Sequence, residues 1–183
     1  MKNGSENVRK AVNETYCRRK NNGKSRFHTR KRKRKGTAMV KQVIIVRKDL
    51  GMSVGKTAAQ ASHASMAFLT DAIRRNARRE ESPDVRYKAE LEFDAETYEG
   101  WIGGIFTKVL LEAKNRNALE KAVRKAEEAG MREGEDFFII RDVCRTELTP
   151  EDEDGRTPTC VGFRPMPEER IDPITRKYQL MKG

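Results

Sequence analysis

Residues 41–65 read KQVIIVRKDLGMSVGKTAAQASHAS, an apolar run, a short polar link and then a small-residue helical pattern. VIIV at 43–46 shows no polar alternation, as expected of a strand covered on both faces. Ser53 is placed to cap a helix running through VGKTAAQASHASMAFLTDAIRRNARR (54–79). The link also holds Gly51, Gly55, Lys56 and Thr57, which invites comparison with a phosphate-cradling loop. That loop needs four residues between its glycines. Only three separate Gly51 from Gly55, and Leu50 stands where the first glycine would fall, so the nucleotide-hydrolase reading fails on spacing.

On a helix turning 100° per residue, Lys56, Gln60, His63 and Ala67 fall within about 60° of one another. Ala58, Ala61, Ser65, Phe68, Leu69 and Ala72 lie opposite and are expected to face the sheet. Lys56 occupies the first helical turn, where a cation opposes the macrodipole. Helix stability alone does not favour it there. An ammonium beside unpaired N–H groups suits an anion or a developing oxyanion, and Arg47 and Lys48 add positive charge at the same strand end.

Downstream, IFTKVLL (105–111), FFII (137–140) and PTCVGF (158–163) are further strand candidates. Asn117 and Glu120 have capping-box spacing; Leu119, Ala122, Val123 and Ala126 form one helical face, and Gly130 can close that helix. Residues 80–99 carry eight carboxylates against Arg86 and Lys88 and read as a solvated connection with a helical turn near Trp101. Strands alternating with helices predict an α/β fold, a three-layer α/β/α sandwich around a mixed, roughly four-stranded sheet. In such sheets ligands gather at the carboxyl ends of strands. Arg141, Asp142, Arg145 and Thr146, just beyond FFII, are thereby expected on one rim with Lys56.

Charge divides the 183-residue chain. Residues 1–40 hold fourteen Lys or Arg against Glu6 and Glu14, while the remainder holds 25 basic and 26 acidic residues. The net charge of +11 is therefore a property of this tail. With few large apolar residues it is expected to be disordered, and RKRKRK (30–35) to bind phosphates of RNA, ribosomal or other. The domain is expected over 41–183. No apolar stretch approaches the ~20 residues of a membrane helix. The start of the chain lacks the apolar segment of a secretory signal. Cys17, Cys144 and Cys160 are odd in number and lack metal-ligand spacing. The expectation is a cytoplasmic protein without a metal site.

The opening stretch closely resembles the archaeal and eukaryotic type of peptidyl-tRNA hydrolase, whose pattern is a strand followed by R-x-D-L-x-M-x-x-G-K-x-A-A-Q-x-x-H-A. Its fixed positions are met by Arg47, Asp49, Leu50, Met52, Gly55, Lys56, Ala58, Ala59, Gln60, His63 and Ala64. The resemblance continues in WIGGIFTKVLL, AEEAG, IIRDVCRTEL and TPTCVGFRPMPEERIDPITRKYQL, covering 41–181. It implies a compact α/β/α domain, often a homodimer, that cleaves the ester joining a peptide to the 3′ ribose of tRNA without metal or organic cofactor. It implies catalytic roles for Lys56, Asp142, Thr146 and Thr159. Gln60, His63, Arg145 and Thr157 would line the substrate site, and Arg47 and Lys48 would contact tRNA. The alternative is a non-catalytic, translation-associated RNA-binding protein that keeps the fold.

Three positions depart from the family. Val143-Cys144 replaces a small Ala-Gly pair, acidic residues at 151–154 lengthen the loop before Thr157, and Arg164 stands where glycine is usual. The first is expected to crowd the substrate, and the second to put negative charge near the tRNA path.

Overall fold

The computed structural model describes residues 39–81 and 83–182. The expectations for the basic tail lie outside the described residues up to position 38. The elements are β1 (Val40–Arg47), α1 (Val54–Asn76), β2 (Arg78–Glu81), β3 (Val85–Lys88), α2 (Ala95–Thr97), β4 (Lys108–Ala113), α3 (Arg116–Glu128), β5 (Phe137–Asp142), β6 (Thr157–Phe163), β7 (Met166–Pro167), α4 (Glu168–Thr175) and β8 (Gln179–Leu180). The α2 turn continues into wider helical turns over Tyr98–Ile105.

The main sheet runs β5-β6-β1-β4-β8, with β7 also pairing β1. β1 and β4 are parallel, whereas β6 is antiparallel to both β1 and β5. The sheet is mixed as expected; the two-residue strands β7 and β8 raise the strand count from the expected four to six.

Successive side chains of β1 serve opposite faces, which is why VIIV is apolar throughout. Val43 and Ile45 enter a core with Leu119, Ala122 and Ala126 of α3 and Ile171 and Ile174 of α4. Ile44 and Val46 pack with Ala64 of α1 and with Cys160. These are the three layers. Helix α3 is capped by Asn115, whose side chain accepts from Ala118 N at 3.0 Å, and not by Asn117. Gly130 follows its C-terminus at φ +80°, the left-handed conformation that glycine adopts without strain.

Two expectations change. The sheet-facing stripe of α1 passes through Gln60 and Ala64, the buried residues of that helix, while Ala58, expected on that face, is exposed. Polar groups on this interface satisfy one another. Buried Gln42 donates to Ser65 O at 2.9 Å and accepts from Ser65 Oγ at 3.0 Å. Second, residues 80–99 are more ordered than a bare connection, since β2 and β3 form a hairpin and Asp94 caps α2. Arg164 reaches Asp94 at 3.1 Å and ties the segment to the domain.

Close approach of α1 to β6 depends on Gly162. A Cβ there would collide with the Ala64 carbonyl oxygen and lie 3.0 Å from Ala64 Cβ. Because backbone cannot yield as a side-chain tip does, Gly162→Ala is expected to cost about 1–3 kcal/mol. Urea unfolding would read this as a lower midpoint at unchanged slope.

Candidate active site

Ser53 begins α1 by accepting from Lys56 N at 3.1 Å. Glu147 holds Ser53 in turn, accepting from its backbone N at 3.0 Å and its hydroxyl at 2.6 Å. The first turn of α1 is thus fastened to the segment after β5, and Lys56 points at the end of that strand. Its Nζ lies 2.7 Å from Asp142 Oδ2 and donates to Thr146 Oγ1 at 3.3 Å.

Asp142 closes β5. Its Oδ2 also accepts from Gln60 Nε2 at 2.7 Å, and Oδ1 accepts from Cys144 N at 2.8 Å. Burial alone would raise the pKa of this carboxyl. Hydrogen bonds from Lys56 and Cys144, the Lys56 charge and the Gln60 bond together outweigh it and hold the group below its ordinary 3.8. Asp142 is therefore a carboxylate throughout the neutral range.

One turn along α1 from Lys56, Gln60 is oriented from behind. The Thr159 hydroxyl, fully buried, donates to Gln60 Oε1 at 2.6 Å. This leaves the amide nitrogen for Asp142. Thr159 thus reaches the carboxylate through Gln60 and positions it. Thr146, by contrast, is exposed, and while its oxygen accepts from Lys56 its own O–H is free to donate outward.

Cys144 adopts φ +55°, a left-handed conformation in which glycine would be unstrained. The left-handed turn aims the Cys144 N–H back at Asp142, a local side-chain to backbone turn. Val143 is half exposed on the cleft wall, so it shapes the entrance instead of filling the site.

The other expected residues make no hydrogen bond to Asp142. Arg47 is 2% exposed, and all five guanidinium N–H donors are used. They bond Asp49 at 3.1 and 2.7 Å, Glu151 at 2.6 and 2.8 Å and Pro158 O at 2.9 Å. Thr157 is fully buried, donating to Thr149 O at 2.8 Å and accepting from Glu151 N at 3.0 Å. Both pin the loop that carries the acidic insertion. Two of its carboxylates are matched, Glu151 by Arg47 and Asp152 by Arg116 at 2.7 Å. Lys48 is exposed and pairs with Glu112 at 3.1 Å. Arg145 and His63 are exposed.

Asp142 and Gln60 lie at one end of a cleft of about 470 Å³ between α1 and β5, whose walls include His63, Arg74, Arg141 and Arg156. Arg141 was expected on this rim; Glu147, the Cys144 backbone, Arg74 and Arg156 were missed in the sequence, because no local pattern reveals contacts made across the rim. Among the described residues, no group of three or more His, Cys, Asp or Glu side chains could hold a metal ion, and no helix is long and apolar enough to cross a membrane.

Thr159→Val preserves shape but leaves the Gln60 oxygen buried without its donor, a loss of about 1–3 kcal/mol readable by urea unfolding. The pH dependence has a defined sign. Because the folded pKa of Asp142 lies below 3.8, its ionised form stabilises the fold above that value. The contribution disappears as pH falls through the lower folded value. Wild type should exceed Asp142→Asn in stability by a constant margin from neutrality to about pH 5 and by less in stronger acid.

Residues 40–181 match the family model described as Peptidyl-tRNA hydrolase PTH2. Curated relatives named peptidyl-tRNA hydrolase include those of Saccharolobus islandicus strain L.S.2.15 and Sulfolobus acidocaldarius, each 33% identical over 78% of this chain and 100% of the relative. That of Saccharolobus solfataricus is 30% identical with the same coverage. The match spans every residue of the Lys56, Gln60, Asp142, Thr146 and Thr159 cluster, and the chain belongs to the peptidyl-tRNA hydrolase PTH2 family.

Proposed function

We propose that this protein hydrolyses peptidyl-tRNA at the ester between the peptide and the 3′ ribose of tRNA, by direct attack of water and without a metal. The observation that carries the reading is the Asp142 carboxylate at the cleft end, held by Lys56 and Gln60 at 2.7 Å each. Ester hydrolysis needs a placed water, an acceptor for its proton and donors for the oxyanion. Asp142 accepts a hydrogen bond from the water and aims its lone pair at the carbonyl carbon. Its low pKa makes it a weak base, so positioning is its main contribution.

As the water oxygen bonds to carbon, the carbonyl oxygen becomes an oxyanion. Lys56 retains an N–H beyond those given to Asp142 and Thr146, and Thr146 retains its O–H; both can face that oxygen. Collapse breaks the bond to the ribose 3′ oxygen. That oxygen takes up the proton lost by the water, giving a peptide carboxylate after ionisation and a free 3′ hydroxyl. Gln60 and Thr159 hold Asp142 in place, and Glu147 fixes the turn that delivers Lys56.

The basic residues of 1–40 add affinity for RNA phosphates in this reading, with the chemistry confined to the domain. The cytoplasm, where translation occurs, is the proposed setting.

The test is release of peptide from N-blocked aminoacyl-tRNA under single-turnover conditions in the presence of EDTA. Wild type should turn over, while Lys56→Ala and Asp142→Asn should lose at least about a hundredfold, the scale set by removing one oxyanion donor. Folded wild type that binds tRNA and releases nothing would instead identify a non-catalytic RNA-binding protein.

A further inference from the structure

The main sheet runs from β5, which ends in Asp142, to β8 at its other edge. Beside that other edge, residues of β4, α3 and the 177–179 segment line a recess of about 310 Å³. Its walls carry four lysines, Lys114, Lys121, Lys125 and Lys177. None of the four is in an ion pair among the described residues. Glu112, the carboxylate on the same walls, is bound to Lys48 at 3.1 Å. The arginines of α3, which do not line the recess, are answered: Arg116 pairs with Glu120 at 2.9 Å and Asp152 at 2.7 Å, and Arg124 with Glu120 at 3.8 Å. Charge on α3 is thus matched away from the recess and left unmatched on its walls, and like charges around one concavity raise the positive potential inside it.

The frame of the recess is fixed by the fold. Strand β8 pairs with β4, setting Gln179 opposite Glu112. The Tyr178 hydroxyl donates to Ala118 O of α3 at 2.7 Å, and the side chain packs against the core. The segment carrying Lys177 is thereby fastened to β4 two residues from Lys114 and to α3 three residues from Lys121. Lys121 and Lys125 share one face of α3, a rise of about 6 Å apart. Burial raises the Tyr178 pKa above the ordinary 10.0, so the phenol brings no negative charge.

Size and side-chain chemistry select the anion. The volume lies at the lower end of the ~300–1,000 Å³ of sites that enclose small ligands. A lysine ammonium is a compact point charge with rotatable donors, whereas the planar fork of arginine matches a planar carboxylate. Walls carrying lysine and no arginine suit an anion whose charge points in several directions, as the tetrahedral oxygens of linked phosphates do. We infer that this recess binds a free oligophosphate, inorganic or at the end of a nucleotide, with successive phosphate groups shared among Lys114, Lys121, Lys125 and Lys177. The recess shares no residue with the cleft beside Asp142, and the inference does not depend on the hydrolase reading.

The test reads each lysine separately in the full chain, because the basic residues of 1–40 also attract polyanions. Limited amine acetylation followed by peptide mass spectrometry is run with inorganic tripolyphosphate, with ATP, with sulfate at equal ionic strength and with a short single-stranded RNA. Tripolyphosphate and ATP should each slow acetylation of the four wall lysines at least about fivefold, and that of Lys108, which lies outside the recess, less than about twofold. Sulfate should slow none of them by more than about twofold. In the full chain carrying Lys121→Gln and Lys177→Gln together, the tripolyphosphate concentration that half-protects Lys114 and Lys125 should rise at least about tenfold. Protection by tripolyphosphate and not by ATP would uphold the inference and restrict the ligand to the inorganic anion. Protection by ATP and not by tripolyphosphate would assign recognition to the nucleoside and overturn it. Protection by RNA and not by tripolyphosphate would make the surface an RNA contact and overturn it too. Equal protection by sulfate would reduce the recess to an unselective positive surface, and unchanged reactivity of the four lysines would leave it without a ligand; either result contradicts the inference.

Discussion

A carboxylate removed from water must have its lone pairs satisfied and its charge answered, and at Asp142 three separate parts of the chain do so. Lys56 supplies charge from the first turn of α1, Gln60 supplies an amide from the next turn, and Cys144 N supplies a backbone donor from a left-handed turn. Each constrains the fold. The two α1 contacts fix the rotation of that helix and place Gln60, not an alanine stripe, against the sheet. Gly162 allows the helix close enough for those contacts, and Cys144 accepts an unfavourable φ so that its N–H can reach back. Removing one partner from such a cluster is more damaging than its individual bonds suggest, because the remaining groups are left desolvated.

A second buried charge repeats the solution near the same rim. Burial would lower the pKa of Arg47, but hydrogen bonds to Glu151 and Asp49 and their charges hold it above its ordinary value. Its full set of bonds spans β1, the acidic loop and Pro158. The acidic insertion consequently acts as a clasp. Glu151 and Asp152 are turned to Arg47 and Arg116, while Arg74, Arg141 and Arg156 line the cleft on the α1 side of Asp142. Two of the loop's acidic residues are thus answered within the fold, by Arg47 and Arg116.

The α/β class, the main strands and the α1 cap were legible because period and capping are local properties. VIIV announced two covered faces, and Ser53 marked a helix start that the structure keeps. Lys56 and Asp142 were legible as a pair through motif and topology. The rotation of α1 was not, because composition alone assigns alanines inward and a buried glutamine is stabilised only by partners 82 and 99 residues away in sequence. Arg47 and Thr157 carried the chemistry of substrate contacts, yet their donors are consumed by the acidic loop, which no local pattern could place. The hairpin β2–β3 was hidden by the carboxylates around it; its cross-strand pairs Lys88–Glu80 at 2.8 Å and Tyr87 beside Arg79 become visible only with the register known.

Hydrolysis as proposed relies on an Asp142 that is already ionised and acts by orientation, and not on His63 as a base. The most direct measurement is the pH dependence of single-turnover peptide release at saturating enzyme, corrected for spontaneous hydrolysis. Between about pH 5 and 7 the rate should show no protonation step, since a carboxylate held below its ordinary value stays charged there. A one-proton inflection in that range that vanishes in His63→Gln would contradict it and make His63 the base.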